Sequence, residues 1–414
     1  MMKQCFWAIA TIVMMSNANF AFGETRRLTL KECIEESENH NLSIKAARLS
    51  AEKAELMRGT VLDLPRTGVA LTQESTSGGS PDNGITVSQE FDFPTLYVAR
   101  HKSLKAESAF ERSNYNVARA EVVKEISDCY YQLLHAQAVV AVREKQDSVL
   151  ADYKKVMDEK YRQGETSRLN QIQASKLYEE NRMELRAARD ARDVFALDMQ
   201  RLLNTEDEVV PSEPATSVIE FANPETELYF ASTPQGESAT ARVALGEKNL
   251  SVAKQNFLPG FSVAATNKLL IKGFNPYDVE REPFKGNFVK FEVGVTLPIF
   301  FGAERARLRS ARKDVEMARV MRVEAEQTAT KEYRAALSAY NTAYRNLNYY
   351  RNEAIGQADE IERLAKVSYE LGEIEYVEMI ENVQSAIDIR LRYADAVKEY
   401  NLSVIKLNYL QGKL

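Results

Sequence analysis

Two hydrophobic periods alternate along this chain. Between residues 85 and 93, Ile85, Val87, Phe91 and Phe93 share one parity, while Thr86, Ser88, Glu90 and Asp92 share the other. Between 289 and 297, Val289, Phe291, Val293, Val295 and Leu297 oppose Lys290, Glu292, Gly294 and Thr296. A period of two marks strands with one apolar face. Elsewhere the spacing is three-four. Leu185, Ala188, Arg192, Phe195, Met199 and Leu202 form one such row, Val377, Ile380, Gln384, Ile387, Leu391 and Ala394 a second, and Tyr333, Leu337, Tyr340, Tyr344 and Leu347 a third. These rows predict coiled-coil seams, two of them interrupted by a polar residue.

The punctuation places the elements. Thr29-Leu-Lys-Glu32 reads as a capping box opening a helix that Asn39-His-Asn41 interrupts before Leu42 to Met57. Strands are expected at 67–75 and 84–93, joined by the turn formers Ser77 to Gly84. No Pro or Gly occurs from Thr95 to Gln163, so one helix of roughly 100 Å is expected there at about 1.5 Å per residue. Gly164 stops it, and another helix is expected from Ser167 to Leu203. After a Pro-rich stretch the order returns: a helix at 237–256, strands near 260–271 and 287–297, a helix from Ala303 to Glu370 weakened at Gly356, and a last helix from Glu375 to Leu410.

That recurrence reads as an internal duplication. Tyr161-Arg-Gln-Gly164-Glu165 returns as Tyr369-Glu-Leu-Gly372-Glu373 at an offset of 208, and Phe93-Pro94 and Pro65 pair with Leu297-Pro298 and Pro259 at shorter offsets. The organisation is then a signal segment at 1–23, a first repeat at 24–204, a connector at 205–236 and a second repeat at 237–414. Fold class follows: mainly α with a small β part.

Composition narrows the setting. Lys3, the apolar stretch Phe6 to Met15 and the small residues Ala21 and Gly23 read as an export signal, and Cys5 precedes the apolar stretch, which excludes it as a lipid-accepting cysteine. The chain holds 54 basic and 60 acidic residues, a net charge of -6, which argues against a nucleic-acid partner. With 3 Cys and 3 His, neither a zinc framework nor a disulfide scaffold is expected, and Cys33 and Cys129 read as small buried hydrophobes. His40, His101 and His135 stand apart from any nucleophile or metal-ligand spacing, and no phosphate-binding loop occurs. No enzyme activity and no cofactor are expected.

The strand count then constrains the assembly. Four strands about ten residues long suit either a soluble half-buried sheet or a membrane β-barrel. About eight strands close the smallest membrane barrel, and an open edge in lipid strands backbone groups at several kcal/mol each. If these strands enter lipid, several chains must share one barrel, and three chains supply twelve.

The chain resembles the TolC-type outer membrane factors over essentially its whole mature length. The resemblance rests on Leu28-Thr-Leu-Lys-Glu-Cys-Ile34, Val87-Ser-Gln-Glu-Phe-Asp-Phe-Pro94, Tyr161-Arg-Gln-Gly-Glu-Thr-Ser-Arg-Leu169, Val293-Gly-Val-Thr-Leu-Pro-Ile-Phe-Phe-Gly302 and Tyr369-Glu-Leu-Gly-Glu373. It implies a homotrimer, with a 12-stranded β-barrel in outer membrane lipid and a coiled-coil α-barrel in the periplasm. Such a duct works with a periplasmic adaptor (membrane fusion) protein and an inner-membrane pump. The compact extracellular loops and the Ser88-Gln-Glu-Phe-Asp-Phe-Pro94 strand lean toward the heavy-metal efflux branch and a proton-driven pump, with metal cations or drugs as solutes. The resemblance places the adaptor-docking tip at Tyr161, Gly164, Leu169, Tyr369, Gly372 and Val377, and a periplasmic gate at Glu378 and Glu381. The first-repeat counterparts of those acids are the uncharged Asn170 and Gln173. The alternative for the gate is an acidic first helical turn favoured by the helix dipole. The alternative for the whole chain is a periplasmic coiled-coil adaptor or scaffold that never enters the membrane.

Overall fold

The computed structural model describes residues 25–75, 81–221, 224–268 and 289–414. The expected signal segment and the connection Ser77 to Ser80 lie outside these residues. The chain opens with a short strand β1 (Arg26–Leu28) and helices α1 (Leu30–His40) and α2 (Leu42–Met57). Thr29 and Glu32 close the expected capping box reciprocally. Asn41 ends α1 and starts α2, its Oδ1 accepting from Ser43 and Ile44 N–H. Strands β2 (Gly68–Ser75) and β3 (Pro81–Phe91) follow, then the 69-residue α3 (Pro94–Arg162) and the 36-residue α4 (Arg168–Leu203).

After β4 (Val209–Pro211), which pairs parallel with β1, come α5 (Pro234–Gln255), β5 (Gly260–Lys268) and β6 (Val289–Thr296). Helix α6 (Gly302–Tyr349) passes through a π turn at Tyr350–Ala354 into α7 (Ile355–Glu370), and α8 (Tyr376–Gln411) ends the fold.

Several boundaries differ from expectation for local reasons. Pro81 to Asn83, expected in the turn before the strand, belong to β3, where they pair with Ser75 to Gln73. Phe93 lies beyond β3 as the N-cap of α3. The second long helix is not uniform: the π turn sits just ahead of Gly356, the residue whose lack of a side chain weakens helix there. Helix starts Pro94 and Gly302 stand 208 residues apart, the offset of the glycine turns, so Gly302 rather than Pro298 is the positional counterpart of Pro94. The left-handed residues ending α4 and α8, Asn204 and Gly412, keep the same offset.

The elements build four columns. Asn41 Nδ2 donates to Leu202 O at 2.8 Å, joining the end of α4 to the start of α2, and Gly412 abuts Thr233 and Pro234, joining α8 to α5. The packing order is α2/α4, α3, α5/α8, α6/α7. The main sheet has the same order, β2-β3-β5-β6, antiparallel throughout. Each strand therefore extends one column. β2 and β6 are edge strands of this sheet, and α4 and α7 border the helical layer on the same two sides.

Register gives the sheet two unlike faces. Val69, Val87, Ala265 and Phe291 lie in one row, and Val263 pairs with Val293 beside it; Phe291 is 74% exposed and Val293 78%. The other face carries Ser88, Thr86, Thr266, Ser262 and Thr296, with Thr86 and Thr266 hydroxyls 2.9 Å apart. The sheet is not folded into a sandwich against its own helices: its apolar side chains remain open.

Helix seams settle close to the expected rows. Leu185, Met199 and Leu202 are buried in the α4 row, which also includes the buried Asn181. In α6 the buried row is Tyr333, Ala336, Tyr340, Ala343 and Leu347, so small alanines replace the expected Leu337 and Tyr344, and Tyr344 is 46% exposed. In α8, Ile380 and Ile387 are buried as expected, while Met379, Val383 and Ala386 extend the stripe because the helix faces both α3 and α7. Cys33 and Cys129 are free and buried in one cluster with Tyr130, Met199 and Leu202. Burial pushes both thiols up to about 12.

A buried amide ties the connector to the helices, beside bonds from Tyr400 to Ile219 O and from Tyr333 to Glu225 O. Asn401 is fully buried, its Oδ1 accepting from Ile219 N–H and its Nδ2 donating to Ser217 O, each at 2.8 Å. Replacing it with Leu leaves a backbone donor and acceptor without partners, at about 1–3 kcal/mol each. Asn401→Leu is expected to lower the unfolding midpoint and to speed proteolytic cleavage within residues 212–229, measured by thermal melts and limited proteolysis of the purified protein.

Candidate functional site at the paired helix turns

The two glycine turns have one construction. After α3, Gly164 N–H donates to Tyr161 O at 3.1 Å and Glu165 N–H to Lys160 O at 2.8 Å. After α7, Gly372 N–H donates to Tyr369 O at 3.0 Å and Glu373 N–H to Ser368 O at 2.8 Å. This nested pair is the Schellman ending, and it requires a left-handed residue. Gly164 and Gly372 have φ of 78° and 73°. Space around both is open, so the glycines serve backbone conformation and not close packing.

Both turns sit at the same end of the columns. Tyr153 and Met157 of α3, Ala174 of α4, Ala365 of α7 and Met379 and Ile380 of α8 form one buried cluster. Tyr376 bridges it, with its ring 5.5 Å from Tyr153 and 4.9 Å from Tyr369. Of the residues expected at the tip, Tyr369 thus packs inward, and Val377 is half-buried. Tyr161 and Leu169 point outward, and the Arg168 guanidinium lies 5.3 Å above the Tyr161 ring. Both turns present an apolar side chain, Leu169 at one and Leu371 at the other, and the second is in addition tied down by stacked tyrosines.

Glu378 and Glu381 are exposed on one face of α8, three residues apart and opposite the buried stripe. Glu375, the N-cap, makes no side-chain capping bond, and Glu378 stands in the first turn of α8, where the helix dipole favours an acid. Glu381 is near enough to Tyr153 that its charge adds to burial in raising the phenol's pKa. The counterpart Asn170 instead bonds within its own turn, Nδ2 donating to Thr166 Oγ1. The acidic face therefore belongs to one helix pair only.

An ion cluster built around the buried Glu362, above the tip, was not visible in the sequence. Glu362 of α7 lies 2.6 Å from Arg390 of α8, 2.8 Å from Lys366 and 3.6 Å from Lys145 of α3, and Arg390 also reaches Asp359 at 2.8 Å. Only Glu362–Lys366, spaced four apart on a helix, had a sequence signature. Burial pushes the Glu362 carboxyl up, but the bonds from Lys366 and Arg390 and the charges of Arg390 and Lys145 outweigh it, holding the pKa at about 2. On α3, His135 Nε2 is 2.9 Å from Asp395 of α8, and burial with the nearby Lys398 lowers its pKa despite that acid. Among the described residues no group of three or more His, Cys, Asp or Glu is arranged to hold a metal. No described helix is long and apolar enough to cross a membrane.

The sign of the acid response follows from the depressed Glu362 value. Its contribution is fully present above the unfolded carboxylate pKa near 4.5 and is lost as pH falls toward about 2. Glu362→Gln leaves Arg390 without its buried counter-charge and is expected to cost about 3 kcal/mol near neutral pH. That difference from wild type should shrink between pH 4.5 and 2, as read by chemical denaturation at each pH.

Comparison with known proteins adds to this geometry. Residues 231–413 match the family model described as outer membrane efflux protein. No curated protein matches the chain. Among solved structures, a membrane protein from Pseudomonas aeruginosa aligns with TM-score 0.78 at 19% identity, covering 92% of this chain and 93% of that one. The CmeC outer membrane channel of Campylobacter jejuni aligns with TM-score 0.74 at 17% identity, covering 93% and 85%. CusC, described for its transmembrane channel formation, aligns with TM-score 0.75 at 15% identity, covering 93% and 90%.

Proposed function

We propose that the chain is a member of the outer membrane efflux protein family, whose model matches residues 231–413, and that three copies make one continuous duct, gated and docked at its helix turns. The protein is a non-enzymatic outer membrane efflux channel of a tripartite system, anchored in the outer membrane and extending into the periplasm. The observation that carries the geometry is the shared order of strands and columns: one protomer is a four-strand, four-column slice with two edges. Three slices close twelve strands and leave no unpaired edge in lipid. The scaffold alternative gives no reason for a sheet whose apolar face is left open.

Each helical edge has its own apolar stripe. On α4, above the tip, Ile172, Met183, Val194 and Leu197 are exposed, with Met183 at 70%. On α7, Leu364 and Val367 are exposed, as is Leu371 at its C-cap. In the proposed trimer the α4 edge of one protomer covers the α7 edge of the next. Burying such a side chain contributes roughly 1.5–3 kcal/mol.

The repeat boundaries at 24–204, 205–236 and 237–414 are part of this reading, supported by the constant 208-residue offset of helix starts, turns and ends. The tip surface at Tyr161 and Leu169 is read as the adaptor contact, with Gly164, Gly372, Tyr369 and Val377 shaping it. Glu378 and Glu381 are read as the gate, six carboxylates around a narrow axis that repel one another and attract cations. The heavy-metal branch and a proton-driven pump are the finer reading, resting on the Ser88–Pro94 segment. Transport energy comes from the pump, because the duct is passive.

Recovery of the mature protein from the soluble fraction without detergent would remove the duct reading. Met183→Glu with Leu197→Glu is expected to shift the purified protein from trimer to monomer in light scattering. Glu378→Gln with Glu381→Gln is expected to raise single-channel conductance in planar bilayers; unchanged conductance at every pH would refute the gate.

A further inference from the structure

The first turns of the helices beneath the sheet carry a one-sided basic collar. In α3, Val98, Lys102 and Lys105 recur at i, i+4 and i+7, and in α6, Arg305, Arg309 and Arg312 do the same. All six are exposed. Residues 94–105 contain no acid, and residues 302–313 contain only Glu304, which pairs with Arg307. Among the described residues none of the five cations has an acidic partner, in a chain whose net charge is -6.

The side of the layer on which they lie can be read from a groove. Arg100 and Arg307 line a groove together with Asp92, Asp63 and Asn249. Arg100 stands two residues from both Val98 and Lys102, and Arg307 two from both Arg305 and Arg309, which is about 200° around a helix. The collar therefore faces away from the groove. Just beyond β3, the Phe93 ring lies 5.9 Å from Phe261 of the apolar face, while the preceding Asp92 is joined to Arg100 at 2.7 Å, so the groove lies on the polar side of the sheet. By elimination the collar lies on the side of the apolar sheet face. Between the two, the corner from β6 to α6 exposes Leu297, Ile299 and Phe300, the last at 91%.

We propose that this collar binds the phosphate headgroups of anionic phospholipids in the membrane leaflet next to the helices, fixing how deep the duct sits. The inference rests on the reading that the apolar sheet face meets lipid. An apolar face, an aromatic corner and a band of unpaired cations in succession match acyl chains, interface and headgroups. Arginine suits the phosphate because its planar fork binds two oxygens at once, and the long stems let the charges reach back to the interface.

The test uses the full mature trimer reconstituted in vesicles of equal phosphatidylcholine and phosphatidylglycerol, with single-channel currents recorded first. Lipid retained after mild detergent extraction is then quantified by mass spectrometry. Wild type is expected to enrich phosphatidylglycerol at least about threefold, less so at high salt. Gln at Lys102, Lys105, Arg305, Arg309 and Arg312 should abolish the enrichment, while Lys at the three arginines should retain most of it. Currents without enrichment, or enrichment that survives the Gln changes, would overturn the collar and leave the duct standing. No currents and no vesicle insertion would overturn both.

Discussion

The fold hinges on hydrogen bonding at two strand edges. β2 and β6 each have one row of backbone donors and acceptors left over after the four-stranded sheet is complete. In water such a row is tolerable, but in hydrocarbon each unmatched group costs several kcal/mol. In the proposed duct the apolar row through Val69, Val87, Ala265 and Phe291 faces lipid, and that placement makes the open edges untenable for a single copy. Oligomerisation is thus a consequence of the side-chain alternation and not an added property. The helical layer inherits the same arithmetic, because every strand continues into a column.

Within the helical layer, small and polar residues decide where elements meet. Asn41 and the left-handed Asn204 terminate and join one column, and Thr233 and Gly412 another. At the tip, the turns at Gly164 and Gly372 each expose an apolar side chain, and the one at Gly372 is also stacked with tyrosines. Above them the Glu362 cluster ties α7 to α8 and reaches α3 through Lys145. Charge therefore has three separate roles along one molecule: inside the helix packing, on the exposed face of α8, and around the helices under the sheet.

Much of this was legible in the residues. The capping box at Thr29, the long Pro- and Gly-free run before Gly164 and the parity of 289–297 each have a local physical cause, and their elements lie where that cause puts them. The positions of Gly164 and Gly372 were legible because only a left-handed ending needs glycine in open space. What escaped the sequence depends on neighbours. The α6 seam moved onto Ala336 and Ala343 because close helix approach favours small side chains over Leu337 and Tyr344. The strand content of Pro81 to Asn83 was hidden because turn-forming residues were paired by β2. The Glu362–Arg390 contact joins residues on different helices, and no spacing rule connects them. The pairing of Pro94 with Pro298 followed matching letters, whereas helix geometry matches Pro94 to Gly302.

The π turn at Tyr350–Ala354 separates two otherwise equivalent supports. Helix α3 spans its 69 residues with continuous α-helical bonding, while α6, the π turn and α7 span 48, 5 and 16 residues, the same total, with one widened loop of backbone near Gly356. A rod of uniform bonding bends along its whole length; a rod with one loosened ring concentrates its bending there. In the proposed trimer, six struts of two stiffnesses, alternating around a threefold axis, give way unequally under load. Any dilation of the lower end must then depart from sixfold evenness, with every second strut yielding first.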